Sequence, residues 1–333
     1  MKFAVIGAGG IGGYLGARLA LSGQSVSFIA RGPNLQALRA DGIRLIEEDG
    51  SERHAKAVLA CQSPADAGPQ DVVLLALKAH QVAAVAPALG ALLGPDTAIV
   101  TLQNGIPWWY FHKLSGPWEG RQLESVDPGG VIASHLDNAR IIGSVVYPAS
   151  ELIAPGVVKV IEGNRFSLGE PDGSKSERVQ RIAEALQAAG FKAPVSSDLR
   201  GEIWLKLWGN LTFNPVSALT HATLAQICRY APTRDLALGM MREAQQVAEA
   251  LGVRFRIPLE RRLAGAEAVG EHKTSMLQDV EQGRPLELNA LLGSVIELAR
   301  LTDIPVPRCE AIFACCALLA ERLQASSGRL SLA

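Results

Sequence analysis

"KFAVIGAGGIGGYLGARLALSGQSVSFIAR", residues 2–31, decides the fold. "KFAVIG" is a short β-rich apolar run, as expected of a strand buried on both faces of a parallel sheet. Gly7, Gly9 and Gly12 then form G-x-G-x-x-G; Gly16 extends the small face four residues on, and Gly23 suits a helix stop. "SVSFIAR" reads as a second strand. The glycine spacing alone is weak, but between a strand and a helix, within a β-α-β unit of about 30 residues, it specifies dinucleotide binding. Gly7 permits the tight turn, Gly9 lets the backbone approach a pyrophosphate, and Gly12 lets the helix pack close to the strand. The helix N-terminus adds free N–H groups and positive potential. The cofactor cradle is therefore expected at Gly7, Ala8, Gly9, Gly10, Ile11 and Gly12.

The end of the second strand reports on the cofactor. An acidic residue there would accept from the adenosine ribose 2′-OH. This chain has Arg31, which can hold a 2′-phosphate through charge-assisted hydrogen bonds, so NADP(H) is expected over NAD(H). "IRLIEEDGSERHAKAVLA" suggests a hairpin around Asp49-Gly50. "DVVLLALK" and "AIVTLQNG" read as further buried strands with a helix over 81–93 between them. Their C-terminal ends deliver Lys78 and Asn104, and in open parallel sheets ligands sit beyond those ends. Short strands from 131 to 170 are expected to complete the sheet, and a helix over 176–189 to follow.

Composition narrows the class. At 333 residues two domains are expected, and 48% hydrophobic with 20% charged residues suits an ordinary globular enzyme or binder. The formal net charge is −1 and the longest basic run is Arg261-Arg262, so no nucleic-acid partner is expected. No apolar run approaches the ~18 residues of a membrane span, and the N-terminus enters a strand without a charged leader. The five cysteines lack a C-x-x-C and the six histidines lack ligand spacing, predicting reduced thiols in the cytoplasm and no metal.

Beyond Ser197-Asp198 strand alternation gives way to helical patterns over 199–214, 232–251, 257–282, 286–301 and 308–325. The expected fold class is α/β: a Rossmann-type dinucleotide-binding domain (1–196) followed by an all-helical domain (197–333). The helical half opens with "EIWLKLWGNLTFNP" (202–215), where Lys206, Asn210 and Asn214 line one face at steps of four. Such a row is either a solvent face or a site. As a site it has clear chemistry. Hydride transfer to a ketone leaves negative charge on oxygen, which a cation such as Lys206 stabilises and can also protonate. Burial would lower its pKa, and neutral amides at Asn210 and Asn214 can bind a substrate hydroxyl and carboxylate. Pro215 is expected to end the helix and so fix Asn214 there.

"GAGGIGG", Arg31, "LKAHQV", Asn104-Gly105, "WLKLWGNLTFNP" and "TSMLQDVEQGRPLELNALLG" together resemble the ketopantoate reductases (2-dehydropantoate 2-reductases), in order and over nearly the whole chain. The resemblance implies NADPH-dependent reduction of 2-dehydropantoate to (R)-pantoate, on the route to pantothenate and coenzyme A. It makes Lys206 the proton donor, with Asn210, Asn214 and Ser275 at substrate-binding positions. Asn104 matches a position shared by nicotinamide and substrate, and Glu287 one at the cofactor end of the cleft. Lys78 matches "LKAHQV" and is read as a cofactor contact. A homodimer is compatible with this reading, and the partner it requires is a small 2-keto acid.

Two departures stand out. The segment 106–130 is longer and more aromatic than usual, so Trp108, Trp109, Tyr110 and Phe111 could form a lid, a dimer contact or a satellite core. His272 stands where many members carry asparagine. Reduction of another branched or aromatic 2-keto acid, or NADP(H) sensing without catalysis, are the competing functions; the set Lys206, Asn210, Asn214, Ser275 and Glu287 argues against the sensor.

Overall fold

β1 (Lys2–Ile6) is buried from Phe3 onward, and its apolar run lies in the interior of the larger sheet. The computed structural model describes residues 1–56 and 58–328. From β1 the chain turns at Gly7 into α1 (Gly10–Leu21), returns as β2 (Ser25–Ile29) and continues through α2 (Gly32–Asp41). A hairpin follows, β3 (Ile43–Ile46) and β4 (Glu52–Ala55), antiparallel across the turn that carries Gly50. Then come β5 (Leu59–Cys61), β6 (Gln70–Leu75), α3 (Ala79–Leu89) and β7 (Leu93–Thr101). Beyond the aromatic segment the chain forms α4 (Val131–His135), β8 (Ile141–Val146), β9 (Ala149–Ala154), β10 (Val157–Glu162), β11 (Phe166–Gly169) and α5 (Glu177–Ala188).

Seven strands form one sheet in the order β11-β8-β7-β6-β1-β2-β5, parallel except for the β11–β8 edge pair. The expectation that the 131–170 strands complete this sheet holds for β8 and β11 alone. β9 and β10 join the hairpin in a second sheet, β4-β3-β10-β9. Burial explains the division. β8 and β11 are buried at every residue, as a sheet covered on both faces requires, whereas β9 has no fully buried residue and β10 buries only Val158 and Val160. The second sheet packs on α1: a Cβ at Gly10 would collide with the Ser150 carbonyl, and one at Gly13 would stand 2.6 Å from Val158. On the other side Gly16 lies against the ring of Phe28.

The aromatic segment is a satellite core of this first unit, neither lid nor exposed contact. Trp108, Trp109, Tyr110 and Phe111 are all buried. Trp109 Nε1 donates to Thr101 Oγ1 at 3.1 Å and Trp108 Nε1 to Asn138 Oδ1 at 3.1 Å, so both indoles satisfy their single donor.

The chain packs as two units, Met1–Gln103 with Pro107–Leu199, and Asn104–Ile106 with Arg200 onward. The second is helical: α6 (Leu199–Thr220), α7 (Leu224–Arg229), α8 (Ala231–Ala250), α9 (Leu259–Ala268), α10 (Ser275–Glu281), α11 (Ser294–Leu301) and α12 (Pro307–Ala325). Its core is anchored by Trp204 and Trp208, and Trp208 Nε1 donates to the Met241 carbonyl at 2.7 Å.

Three expectations for these helices need correction. Pro215 does not end α6, which runs on to Thr220. An internal proline costs about 3 kcal/mol, but the turn beyond it buries Val216, Ser217 and Ala218, and the Pro215 carbonyl gains the Cys316 thiol as donor. The 257–282 pattern is two helices, because Gly270 takes a left-handed φ of 84° and Thr274 caps α10 by accepting from Leu277 N–H. In the break, the Gly270 and His272 carbonyls accept from Ala225 and Leu224 of the short helix α7, which the sequence did not suggest. Finally, 286–301 is not a uniform α-helix: Asn289–Gly293 is a π-turn leading into α11.

Candidate active site

Strand register sets the candidate cofactor site of the first unit. Ile6 pairs with Ile29 and Leu75, and Leu75 with Thr101, so the C-terminal ends of β2, β1, β6 and β7 form one row. Gly7, Arg31 and Lys78 follow directly from that row. Gly7 has φ 97°, open to glycine at little cost, and a Cβ there would press on Leu77 at 2.7 Å. Gly12 abuts the Gly7 carbonyl so closely that a side chain would collide. Around Gly9, by contrast, a Cβ would meet nothing within 4 Å. Gly9 also caps α1 without a side-chain hydrogen bond, which leaves the first N–H groups of a twelve-residue helix for a ligand.

The turn is braced from outside. Asn34 Nδ2 donates to the Ala8 carbonyl at 2.8 Å while its Oδ1 accepts from Gly156 N–H. Ala8 is buried; Gly10 and Ile11 are half-buried. Arg31 is exposed at the start of α2 and Lys78 half-buried at the start of α3. An open glycine backbone, an uncapped helix start and an exposed guanidinium one strand away fit a dinucleotide phosphate chain.

One residue here escaped the sequence. Gln103, at the end of β7, donates from Nε2 to the Leu75 and Leu77 carbonyls at 2.7 and 3.0 Å, tying down the segment that carries Lys78. Its buried Oε1 has no hydrogen-bond partner among the described residues. The signal was its place directly before Asn104-Gly105 at a strand end.

The helical unit carries a cluster of its own. Lys206 and Asn104, 102 positions apart, meet there: the amine donates to Asn104 Oδ1 at 2.6 Å. Burial lowers the Lys206 pKa from 10.5 to about 8, and the carboxylate of Glu287 opposes that shift. Glu287 is half-buried in the segment before the π-turn. Two turns beyond Lys206 on α6, buried Asn214 donates from Nδ2 to Ser275 Oγ at a long 3.4 Å. Ser275 is exposed as the first residue of α10; the cap is its neighbour Thr274. Asn210 is half-buried on the turn between Lys206 and Asn214. The row on α6 thus meets Asn104, Glu287 and Ser275 from three other segments. Near neutral pH the amine is largely charged, and losing its proton is easier than for a lysine in water.

Among the described residues no cluster of His, Cys, Asp and Glu could hold a metal ion, and no helix is long and apolar enough to cross a membrane.

A glycine-turn sheet followed by a helical unit with such a lysine defines a class: dinucleotide-dependent oxidoreductases acting on a carbonyl or its alcohol. Residues 3–109 match the family described as ketopantoate reductase PanE/ApbA, and residues 198–320 its C-terminal counterpart. A 2-dehydropantoate 2-reductase from Mesorhizobium japonicum is 55% identical over 94% of this chain and 96% of its own length. A solved chain from Ralstonia solanacearum, named as a candidate ketopantoate reductase, is 39% identical with TM-score 0.92 over 97% of this chain and 98% of its own. The 2-dehydropantoate 2-reductase of Geobacter metallireducens is 28% identical with TM-score 0.82, over 97% and 99%. The chain belongs to the ketopantoate reductase family.

Proposed function

We propose that this chain reduces 2-dehydropantoate to (R)-pantoate with NADPH, the glycine-turn unit holding the cofactor and the helical unit the keto acid. The observation that carries this reading is the Lys206 amine, 2.6 Å from Asn104 Oδ1, with its pKa lowered to about 8. When bound, NADPH would supply the hydride for the new C–H bond of the alcohol. Lys206 holds its proton at Nζ for the ketone oxygen, stabilising the charge that builds there and then neutralising it. Asn104 fixes the amine's direction. Asn210, Asn214 and Ser275 offer neutral donors and acceptors to the hydroxyl and carboxylate of the substrate, and Glu287 keeps Lys206 charged between turnovers. The backbone from Gly7 to Gly12 and Lys78 take the phosphates, and Arg31 selects the 2′-phosphate. All five cysteines are free thiols, which suits a reducing compartment such as the cytoplasm.

The buried indoles of Trp108 and Trp109 already have partners in their own core, so they supply no argument for a bulkier substrate. The decisive assay follows NADPH absorbance with 2-dehydropantoate and a panel of branched and aromatic 2-keto acids. Turnover of 2-dehydropantoate far above the panel is expected; a better panel member would move the substrate, and no turnover would leave an NADP(H) binder. Lys206→Ala should lose roughly 100- to 10,000-fold in kcat while still binding NADPH. An Arg31→Ala variant that kept its preference for NADPH over NADH would end the cofactor assignment.

A further inference from the structure

Asn104 can meet Lys206 only if the short segment carrying it is held against the helical unit, and the hold is visible. In a regular α-helix the Ser294 N–H would bond the carbonyl of Ala290. Here it reaches five residues back, to Asn289, as the π-turn requires. The Ala290 carbonyl instead accepts the backbone N–H of Ile106 at 2.9 Å and the hydroxyl of Ser294 at 2.8 Å. Between Asn104 and Ile106 stands Gly105, with φ 88° and so close to the Ala290 carbonyl that a Cβ would collide with it. Ser294 is fully buried, so the arrangement is part of the core of this unit.

We propose that the π-turn Asn289–Gly293, acting through Gly105, is the positioning device that holds Asn104 against the amine of Lys206. One extra residue in the helix turns a carbonyl outward, and the absence of a side chain at 105 lets the backbone seat on it. The next residue back then presents its amide oxygen to the amine. Gly105, Ala290 and Ser294 are positioning residues; they act through Asn104. π-turns persist at a cost in hydrogen-bond geometry, and this one places an acceptor. Glu287 acts on the same amine from the segment that leads into the turn. The inference rests on the reading of Lys206 as proton donor.

The test is Gly105→Ala in the full chain. By accepting from the ammonium, Asn104 Oδ1 favours the charged form, so its displacement lowers the pKa of Lys206. The alkaline limb of kcat/KM for the keto acid should move down by about one pH unit. The value at neutral pH should fall on the order of tenfold to a hundredfold. In an Asn104→Ala background the same change should add nothing. Leu298→Ala, a core truncation in α11, serves as the control that lowers Tm and leaves the limb in place. A folded Gly105→Ala enzyme with the wild-type limb, or effects that add to those of Asn104→Ala, would overturn the proposal. Lys206→Met measured alongside separates the two ideas: if it keeps wild-type kcat, the proton-donor reading itself fails. Should Gly105→Ala not fold, hydrogen exchange at the Ile106 amide of the wild-type chain decides. Exchange as slow as in α11 supports the anchor, and exchange at an open-loop rate overturns it.

Discussion

Gly9 and Gly12 belong to one motif yet do different work, and single substitutions separate them. Gly9 has φ −79° and open space where a Cβ would point, so Gly9→Ala should fold with a near-native Tm. Its methyl would occupy the surface a phosphate approaches, and Km for NADPH should rise at least tenfold in steady-state assays. Gly12→Ala would drive a methyl into the Gly7 carbonyl and should lower Tm as well, at a cost of about 1–3 kcal/mol in urea unfolding. Lys206 makes a second prediction at this scale. As the proton donor it is active when charged, so kcat/KM should fall as pH rises through about 8. Glu287 raises that pKa, so Glu287→Gln should bring the alkaline limb to lower pH; a shift upward would contradict the electrostatics. The candidate residues themselves were legible, since a lysine and two amides at steps of four on an apolar helix are conspicuous. Gln103 and Ala290 were not, because a place at a strand end does not name the partners of an amide and a backbone carbonyl carries no signal at all.

Helix boundaries show where local signals prevail and where packing overrides them. The start of α5 was readable, and the structure caps it with Ser176 accepting from Val179 N–H. The continuation of α6 through Pro215 was not, because the cost of the proline is local while its compensation comes from the core. α12 has no side-chain cap of its own at Val306. Glu243, buried on α8, supplies one from 65 residues away by accepting from Arg308 and Cys309 N–H at 3.1 and 3.0 Å. Glu243→Ala should therefore destabilise the helical unit by about 2–4 kcal/mol in urea unfolding, since two N–H groups lose their acceptor. Loss below about half a kcal/mol would mean water replaces the carboxylate without penalty. The sequence "GMMREAQQ" gives no hint of this role, because a glutamate on a helix is ordinarily a solvated residue.

For the whole molecule, the cost of burying a charge should be measurable as a pH-dependent stability. Folding depresses the pKa of Lys206, so between about 8 and 10.5 the unfolded chain holds the extra proton and stability rises with pH. Below 8 the penalty is present in full; above 10.5 it is relieved. In cofactor-free protein the wild type should gain Tm relative to Lys206→Met across that window, and parallel profiles would place the amine in water. By itself the sequence determined the glycine turn, the succession of a strand-rich half and a helical half, the family and the polar row on α6. Each is written in residues a few positions apart, where backbone sterics and periodicity act. Only the tertiary structure decided that Asn104 joins the helical unit, that a π-turn holds it there, that the 131–170 strands divide between two sheets and that Trp108 and Trp109 are core. Those outcomes depend on which buried groups find partners across a hundred residues, and short-range physics leaves that choice to packing.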